Sequence, residues 1–302
     1  MLENVVLLLL LYISIKMICR YLDTNDVKYI AMTAMVLLVF FNIWFNMYSE
    51  IFREFIEQFR IITSVMPIAI IIVIMYVEGR RVKEEKEKIK TKQFFSKYVS
   101  ENIVEKLLEQ KDLQLGGEKH QVTVVFTDVR GFTSLSEKLD PKQIVELLNG
   151  HFDIITEEIF NEDGTVLKYI GDATMAVFNA PVQKENHAVC AIKACVKIQN
   201  RMREYARMVK KKYGVNNFSI GIGVNTGEVV MGNIGSYRYM DYTVIGDTVN
   251  IASRLNGVAK SGEIVVSEST YELVKGKFRF SEPEEVAVKG KSIPIKVYRV
   301  EC

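Results

Sequence analysis

The sequence predicts an α+β protein: a ferredoxin-like split βαβ domain, preceded by a transmembrane helical region and a helical linker. Three observations carry this. Strand-like and helix-like segments alternate in the order β-α-ββ-α-β beyond residue 120. Three long apolar stretches precede residue 79. A dense run of Lys, Arg and Glu with helical periodicity joins the two. With 302 residues the chain has room for about two units. The divisions expected are 1–78, 79–119 and 120–302.

The apolar stretches are VVLLLLLYISIKMIC (5–19), YIAMTAMVLLVFFNIWFNM (29–47) and IITSVMPIAIIIVIMYV (61–77). A spanning helix needs about 20 mainly apolar residues. The second meets that length and the third comes close. The first is short and carries Lys16, which can snorkel to headgroups. It has Glu3 where a signal peptide would be basic, and no small-residue cleavage site follows, so a span is preferred to a cleaved leader. About three spans are therefore expected, with membrane lipid as a partner. Lys16, Arg20 and Lys28 in the first loop, and the basic run from Arg80 to Lys92, place those segments in the cytoplasm of a cell (inner) membrane protein. The 48–60 segment, with apolar residues at helical spacing, is expected as an outer interfacial helix or an extension of its neighbours. Asn42 and Asn46 are candidates for pairing helices.

The linker carries an apolar face through Ile89, Phe94, Tyr98, Ile103 and Leu107. It reads either as a solvated helix or as a two-stranded stalk holding two copies together. Gly116 and Gly117 end it. Beyond lie a strand at 121–128, a helix at 141–160 and a hairpin at 164–179 turning at Gly171–Asp172. A long helix at 186–214 follows, then strand–turn–strand at 218–235 and a helix at 247–260 with Asp247 as its N-cap.

Several function classes drop out. A net charge of +2 supplies no field for nucleic acid. Cys19, Cys190, Cys195 and Cys302 form no CxxC pair and have no histidine at ligand spacing, which argues against zinc and against a disulfide framework. His120, His151 and His187 are scattered and offer no catalytic base.

The chemistry lies elsewhere. Asp128 ends the first strand and Asp172 sits at the hairpin tip, and in a split βαβ sheet these elements are neighbours. Two carboxylates so placed suit a divalent cation with oxygen ligands, Mg²⁺ where phosphates and water complete the shell. The DVRGFT segment (128–133) offers successive backbone N–H groups to a phosphate. Asn250 and Arg254 are four apart on one helix face, an amide and a cationic fork suited to a ribose oxygen and a phosphoryl group. Singly, a strand-end Asp beside Gly is an ordinary turn, and a lone helical Arg an ordinary surface charge.

Together, FTDVRGFT, LKYIGDATMAVF and YTVIGDTVNIASRLN closely resemble the motifs of the class III nucleotidyl cyclases. VKGKSIPIKVYRV resembles that family's final strands, and FSKYVSENIVEKLLEQ followed by LGGEKHQVTVVF resembles its transducer helix, so the likeness covers about residues 92–300. The resemblance implies that Asp128, Val129 and Asp172 bind two Mg²⁺ or Mn²⁺ ions. One would acidify the ribose 3′-OH and the other neutralise the triphosphate, so that the 3′ oxygen attacks the α-phosphorus in line and pyrophosphate leaves. Asn250 would orient the ribose and Arg254 stabilise the transition state. Gly131, Phe132, Thr133, Arg238 and Lys289 would bind the triphosphate.

The base-reading positions of the family fall on Lys168 and Thr243. Lys donates to adenine N1, and the Thr hydroxyl can accept from N6. Guanylyl cyclases usually carry Glu and Cys there, and many adenylyl cyclases have Asp in place of Thr243. The implied protein is a membrane-anchored homodimeric adenylyl cyclase that makes cyclic AMP from ATP, with both sites at the dimer interface. The alternatives are a guanylyl cyclase or a catalytically silent nucleotide-binding module. A further one is a membrane region that itself senses a signal.

Overall fold

The computed structural model describes residues 2–24, 28–47, 53–109, 114–287 and 294–301. The chain divides into two units, Met1–Gln93 and Phe94–Cys302. The N-terminal unit is helical: α1 (Leu2–Thr24), α2 (Lys28–Met47) and α3 (Arg53–Phe95). α1 packs on α2. Leu9, Tyr12, Met35, Phe41, Ile68 and Ile72 are exposed.

The expected transmembrane spans are not found. Among the described residues no helix is long and apolar enough to cross a membrane. α1 carries Lys16 and Arg20, and α2 carries Asn42 and Asn46. In α3 the apolar run 61–77 is shorter than the roughly 20 residues a span needs and passes unbroken into the charged run that follows. Asn46 Nδ2 donates to Asn42 Oδ1 at 3.0 Å within α2. The described part of the 48–60 segment is the start of α3, an extension of its neighbour.

The second unit opens with α4 (Glu101–Glu109), β1 (Gly116–Val129), α5 (Phe132–Ser136), α6 (Pro141–Asn161), β2 (Thr165–Ile170), β3 (Ala173–Phe178) and α7 (His187–Tyr213). It continues with β4 (Ile220–Ser236), β5 (Tyr239–Ile245), α8 (Asp247–Val258), β6 (Ile264–Ser267), α9 (Glu268–Val274), β7 (Glu284–Val286) and β8 (Ile295–Arg299). The sheet order is β2-β3-β1-β4-β6-β8-β7, with β5 pairing on β4. The first four strands are antiparallel in the order of a split βαβ core, and the parallel β4–β6 pair makes the sheet mixed.

The strand period of two sorts the core. Val125, Val129, Ile220, Ile222 and Val224 bury one face with α6 and α7. Val122, Val124, Phe126 and Met175 bury the other with Val244 of β5 and Ala252 of α8. α6 begins where the sequence marks it: Asp140 accepts from Lys142 N at 2.9 Å, Gln143 accepts from Asp140 N at 3.1 Å, and Pro141 opens the first turn. α7 ends at Gly214 in the left-handed region, with Lys210, Lys211 and Lys212 in its last turn.

Two local expectations change. Residues 218–235 do not turn, because β4 pairs with β1 along the whole length from Gly116 to Val129 and Gly227 stays extended within that ladder. Asp247 is the first helical residue of α8 rather than its cap, which is Gly246.

α8 lies unusually close to β4. A Cβ on Gly223 would stand 2.1 Å from Asn256 N and 2.4 Å from Ala252 O, and one on Gly227 would stand 2.6 Å from Thr248 Oγ1. The bare strand face admits the helix, and polar contacts then fix it. Thr248 Oγ1 donates to Glu228 O at 2.8 Å, and Asn225 Nδ2 donates to Thr248 O at 2.9 Å. Gly223→Ala is therefore expected to cost about 1–3 kcal/mol by overpacking. Gly257→Ala, on the same helix with nothing within 4 Å, should be neutral or stabilising by up to ~1 kcal/mol. Urea unfolding of the two variants checks the contrast.

Candidate active site

Asp128 lies one residue before the end of β1, opposite Gly221 of β4. It shares the strand parity of Val124 and Phe126 and so falls on the α8 side of the sheet. Asp172 follows Gly171, whose φ of 63° places the hairpin turn in the left-handed region. Because β3 pairs with β1, the hairpin tip arrives beside the end of β1, and Val129 N donates to Asp172 Oδ2 at 3.2 Å. Burial pushes the Asp172 carboxyl up to about 6, and the neighbouring Asp128 adds to the shift, while backbone N–H groups oppose it.

Two neighbouring carboxylates can hold a divalent cation between them. Among the described residues no group of three His, Cys, Asp or Glu side chains is placed to hold a metal. The donor set is thus an incomplete oxygen shell. It fits Mg²⁺ or Mn²⁺, which keep water or phosphate ligands, and does not fit a closed structural site.

Gly131, at φ 69°, turns the chain from β1 into α5. The Phe132 side chain packs against the core, leaving its backbone as the part available to a ligand, and Thr133 is exposed. Lys168 on β2 is ion-paired with Asp241 on β5. Asp241 and the buried Thr243 lie two apart on one face of β5, so the Lys168–Asp241 pair stands near the expected base-reading position Thr243. Asp241 was missed by sequence reasoning. Its i, i+2 spacing from Thr243 on a strand was the available signal. A cavity of about 680 Å³ opens beside Lys168 and Asp241 and is also lined by Tyr98 and Ile103, residues of the expected linker.

On α8, Asn250 is exposed and Arg254 half-buried. Among the described residues neither side chain has a hydrogen-bond or ion-pair partner, and neither is joined to Asp128 or Asp172. Arg238 is exposed between β4 and β5, flanked by Tyr237 and Tyr239. Lys289 lies outside the described residues. Burial lowers the His151 ring to about 4, and His187 Nδ1 is 2.8 Å from Thr123 Oγ1.

The family description "Adenylate and Guanylate cyclase catalytic domain" matches residues 116–301. The chain belongs to this family. The cyclase region is 31% identical over 211 residues to adenylate cyclase 1 of Rhizobium meliloti, covering 68% of this chain and 31% of that protein. It is 33% identical over 224 residues to an adenylate cyclase of Anabaena cylindrica, covering 70% and 44%. The chain therefore spans less than half the length of these relatives. Among solved structures, the adenylyl cyclase CyaB of P. aeruginosa superposes with TM-score 0.60 at 34% identity, covering 62% of this chain and 97% of that one. The guanylyl cyclase Cya2 superposes with TM-score 0.59 at 34% identity, covering 62% and 94%. Likeness to an adenylyl and to a guanylyl cyclase is equal, so the choice of base rests on the residues at the site.

The raised Asp172 carboxyl makes the cyclase's metal-free stability pH-dependent. Its folded value of about 6 stands above the ordinary 3.8, so the neutral form is favoured on folding. That contribution is fully present below pH 3.8 and is lost as pH rises through about 6. In EDTA, Asp172→Asn should melt above wild type at pH 7.5, and the difference should shrink steadily toward pH 4. Melting curves across that range check the sign.

Proposed function

We propose that the cyclase domain converts ATP to 3′,5′-cyclic AMP and pyrophosphate as a homodimer. The observation that carries the choice of ATP is the Lys168–Asp241 pair beside the buried Thr243. Lysine donates to adenine N1, while a carboxylate or hydroxyl oxygen accepts from the N6 amino group. Guanine presents a donor at N1 and an acceptor at O6, the reverse pattern. Two bacterial relatives named adenylate cyclases support the reading. The equal likeness to Cya2 keeps guanylyl cyclase as the second reading.

Asp128, Val129 and Asp172 would hold two Mg²⁺ or Mn²⁺ ions, which when bound supply charge neutralisation and acidify the ribose hydroxyl. The backbone N–H groups of Gly131, Phe132 and Thr133 donate to phosphate oxygens. Arg238 and Lys289 neutralise the triphosphate. Asn250 holds the ribose, so that O3′ lies in line with the α-phosphorus. Arg254, without a partner among the described residues, is available to meet the charge that gathers on the α-phosphoryl oxygens. The O3′–P bond forms as the bond to pyrophosphate breaks.

The homodimer is supported by the same geometry. Among the described residues neither Asn250 nor Arg254 makes a hydrogen bond or ion pair with the carboxylates, which leaves both side chains available to a site completed by a second copy. The exposed apolar side chains of α1, α2 and α3 support association with the cell inner membrane, and the basic residues at 16–28 and 80–92 support a cytoplasmic cyclase domain.

Assay of the purified chain with ATP or GTP, each with Mg²⁺ or Mn²⁺, should give cyclic AMP, and Asp128→Ala should abolish it. Cyclic GMP as the main product would reverse the reading of the base site. Asp128→Ala and Arg254→Ala chains should each be inactive alone. Co-expressed, they should recover about a quarter of wild-type activity, since half of randomly assorted dimers hold one intact site of two. Lys168→Glu with Thr243→Cys should shift the ratio of kcat/KM toward GTP; an unchanged ratio would remove Lys168 and Thr243 from base selection.

A further inference from the structure

Two polar side chains near the metal carboxylates, one buried and one half-buried, have no role in the mechanism above. Asn256, 7% exposed, projects from α8 into the sheet. Its Nδ2 donates to Phe126 O of β1 at 3.2 Å and to Gly221 O of β4 at 2.8 Å. Both amide hydrogens are thus taken by strand carbonyls. The amide has one sensible orientation, because a flip would set its oxygen against two carbonyls and its NH₂ against a guanidinium. The fixed Oδ1 accepts from Arg130 Nη2 at 3.0 Å, and the same Nη2 stands 3.4 Å from Asp128 Oδ2.

Arg130 is seated for this bridge. Its backbone N donates to Ser219 O at 2.9 Å. Its guanidinium lies over Gly221, where a Cβ would come within 2.8 Å of Nε and 2.9 Å of Cζ. Its Nε is buried without a hydrogen-bond partner, so burial of this cation is compensated chiefly at the end that faces Asn256 and Asp128. A bare surface arginine would need neither the missing side chain at position 221 nor an amide locked between two strands.

We infer that Arg130 and Asn256 are positioning residues that hold the Asp128 carboxylate in register with α8. The inference rests on the cyclase reading of Asp128. Asn256 belongs to the helix that carries Asn250 and Arg254, and Arg130 passes its position to the carboxylate. Each chain therefore ties the metal-binding group it gives to one composite site to the helix it gives to the other. A shift of α8 moves Asp128, which makes the two sites of a homodimer mechanically dependent.

The test uses the full-length chain and three variants, Asn256→Ala, Arg130→Gln and Arg130→Lys. Mn²⁺ binding is read by electron paramagnetic resonance with 3′-deoxy-ATP, which lacks the nucleophile. The half-saturating Mg²⁺ concentration and the KM for ATP are read from turnover. All three variants should weaken Mn²⁺ binding and raise half-saturating Mg²⁺ by about 10- to 100-fold, the usual cost of losing a group behind a metal ligand. The KM for ATP at saturating metal should stay near wild type. Arg130→Lys keeps the charge without the fork, so it should fail like Arg130→Gln. Wild-type metal affinity in Asn256→Ala, or full rescue by Arg130→Lys, would overturn the relay while leaving the cyclase reading intact. Loss of folding without a metal effect in the folded fraction would overturn it too, as a purely structural contact. Failure of the unmodified chain to bind Mn²⁺ with the analogue would overturn the reading on which the inference rests.

Discussion

The close approach of α8 to β4 is the contact on which the rest of the site depends. It exists because β4 presents Gly221, Gly223 and Gly227 on the face that α8 covers, where side chains would collide with Arg130, Asn256 and Thr248. Close packing excludes water, so the polar groups between strand and helix rely on protein partners. Asn225, Thr248 and Asn256 do so by bonding backbone across the interface. The helix is thereby fixed in rotation as well as distance, and the face bearing Asn250 and Arg254 is presented at a set angle. Smaller residues on the strand thus become precision on the helix.

The second constraint is electrostatic. β1 and the β2–β3 hairpin bring Asp128 and Asp172 together in a half-buried place, where burial first and the neighbouring Asp128 second raise the Asp172 carboxyl. Pairs with such perturbed carboxyls cluster at functional sites, and a bound cation would relieve this one. A single chain supplies the carboxylates at one place and an uncommitted arginine on another element. The proposed phosphoryl transfer needs both within one site, and a two-fold assembly would supply that without further sequence.

Much of this was legible in the sequence, because local signals and tertiary demands agree. The apolar run into Asp128, the Gly171–Asp172 turn, the capping box at Asp140–Gln143 and the i, i+4 pair on α8 each have a short-range cause. Illegible parts have long-range causes. β4 carries Asn225-Thr226-Gly227, which reads as a turn, yet pairing with β1 along its whole length keeps it extended. Asp241 carries no local signal of a partner, and the fold brings Lys168 to it across 73 residues. Arg130 and Asn256 are 126 residues apart, and neither has a neighbour in sequence that announces the other. The membrane expectation came from apolar runs alone, which record hydrophobicity without deciding between a lipid contact and a protein one. Among the described residues those runs do not build a spanning helix.

The central claim is that two copies of this chain build one site, carboxylates from one and α8 from the other. Anomalous diffraction at the manganese edge, from crystals grown with Mn²⁺ and 3′-deoxy-ATP, tests it most directly. The account predicts manganese peaks on Asp128 and Asp172 of one copy, with Arg254 of the second copy facing the α-phosphate. Manganese bound away from that pair, or Arg254 of the same copy reaching the phosphate, would contradict it.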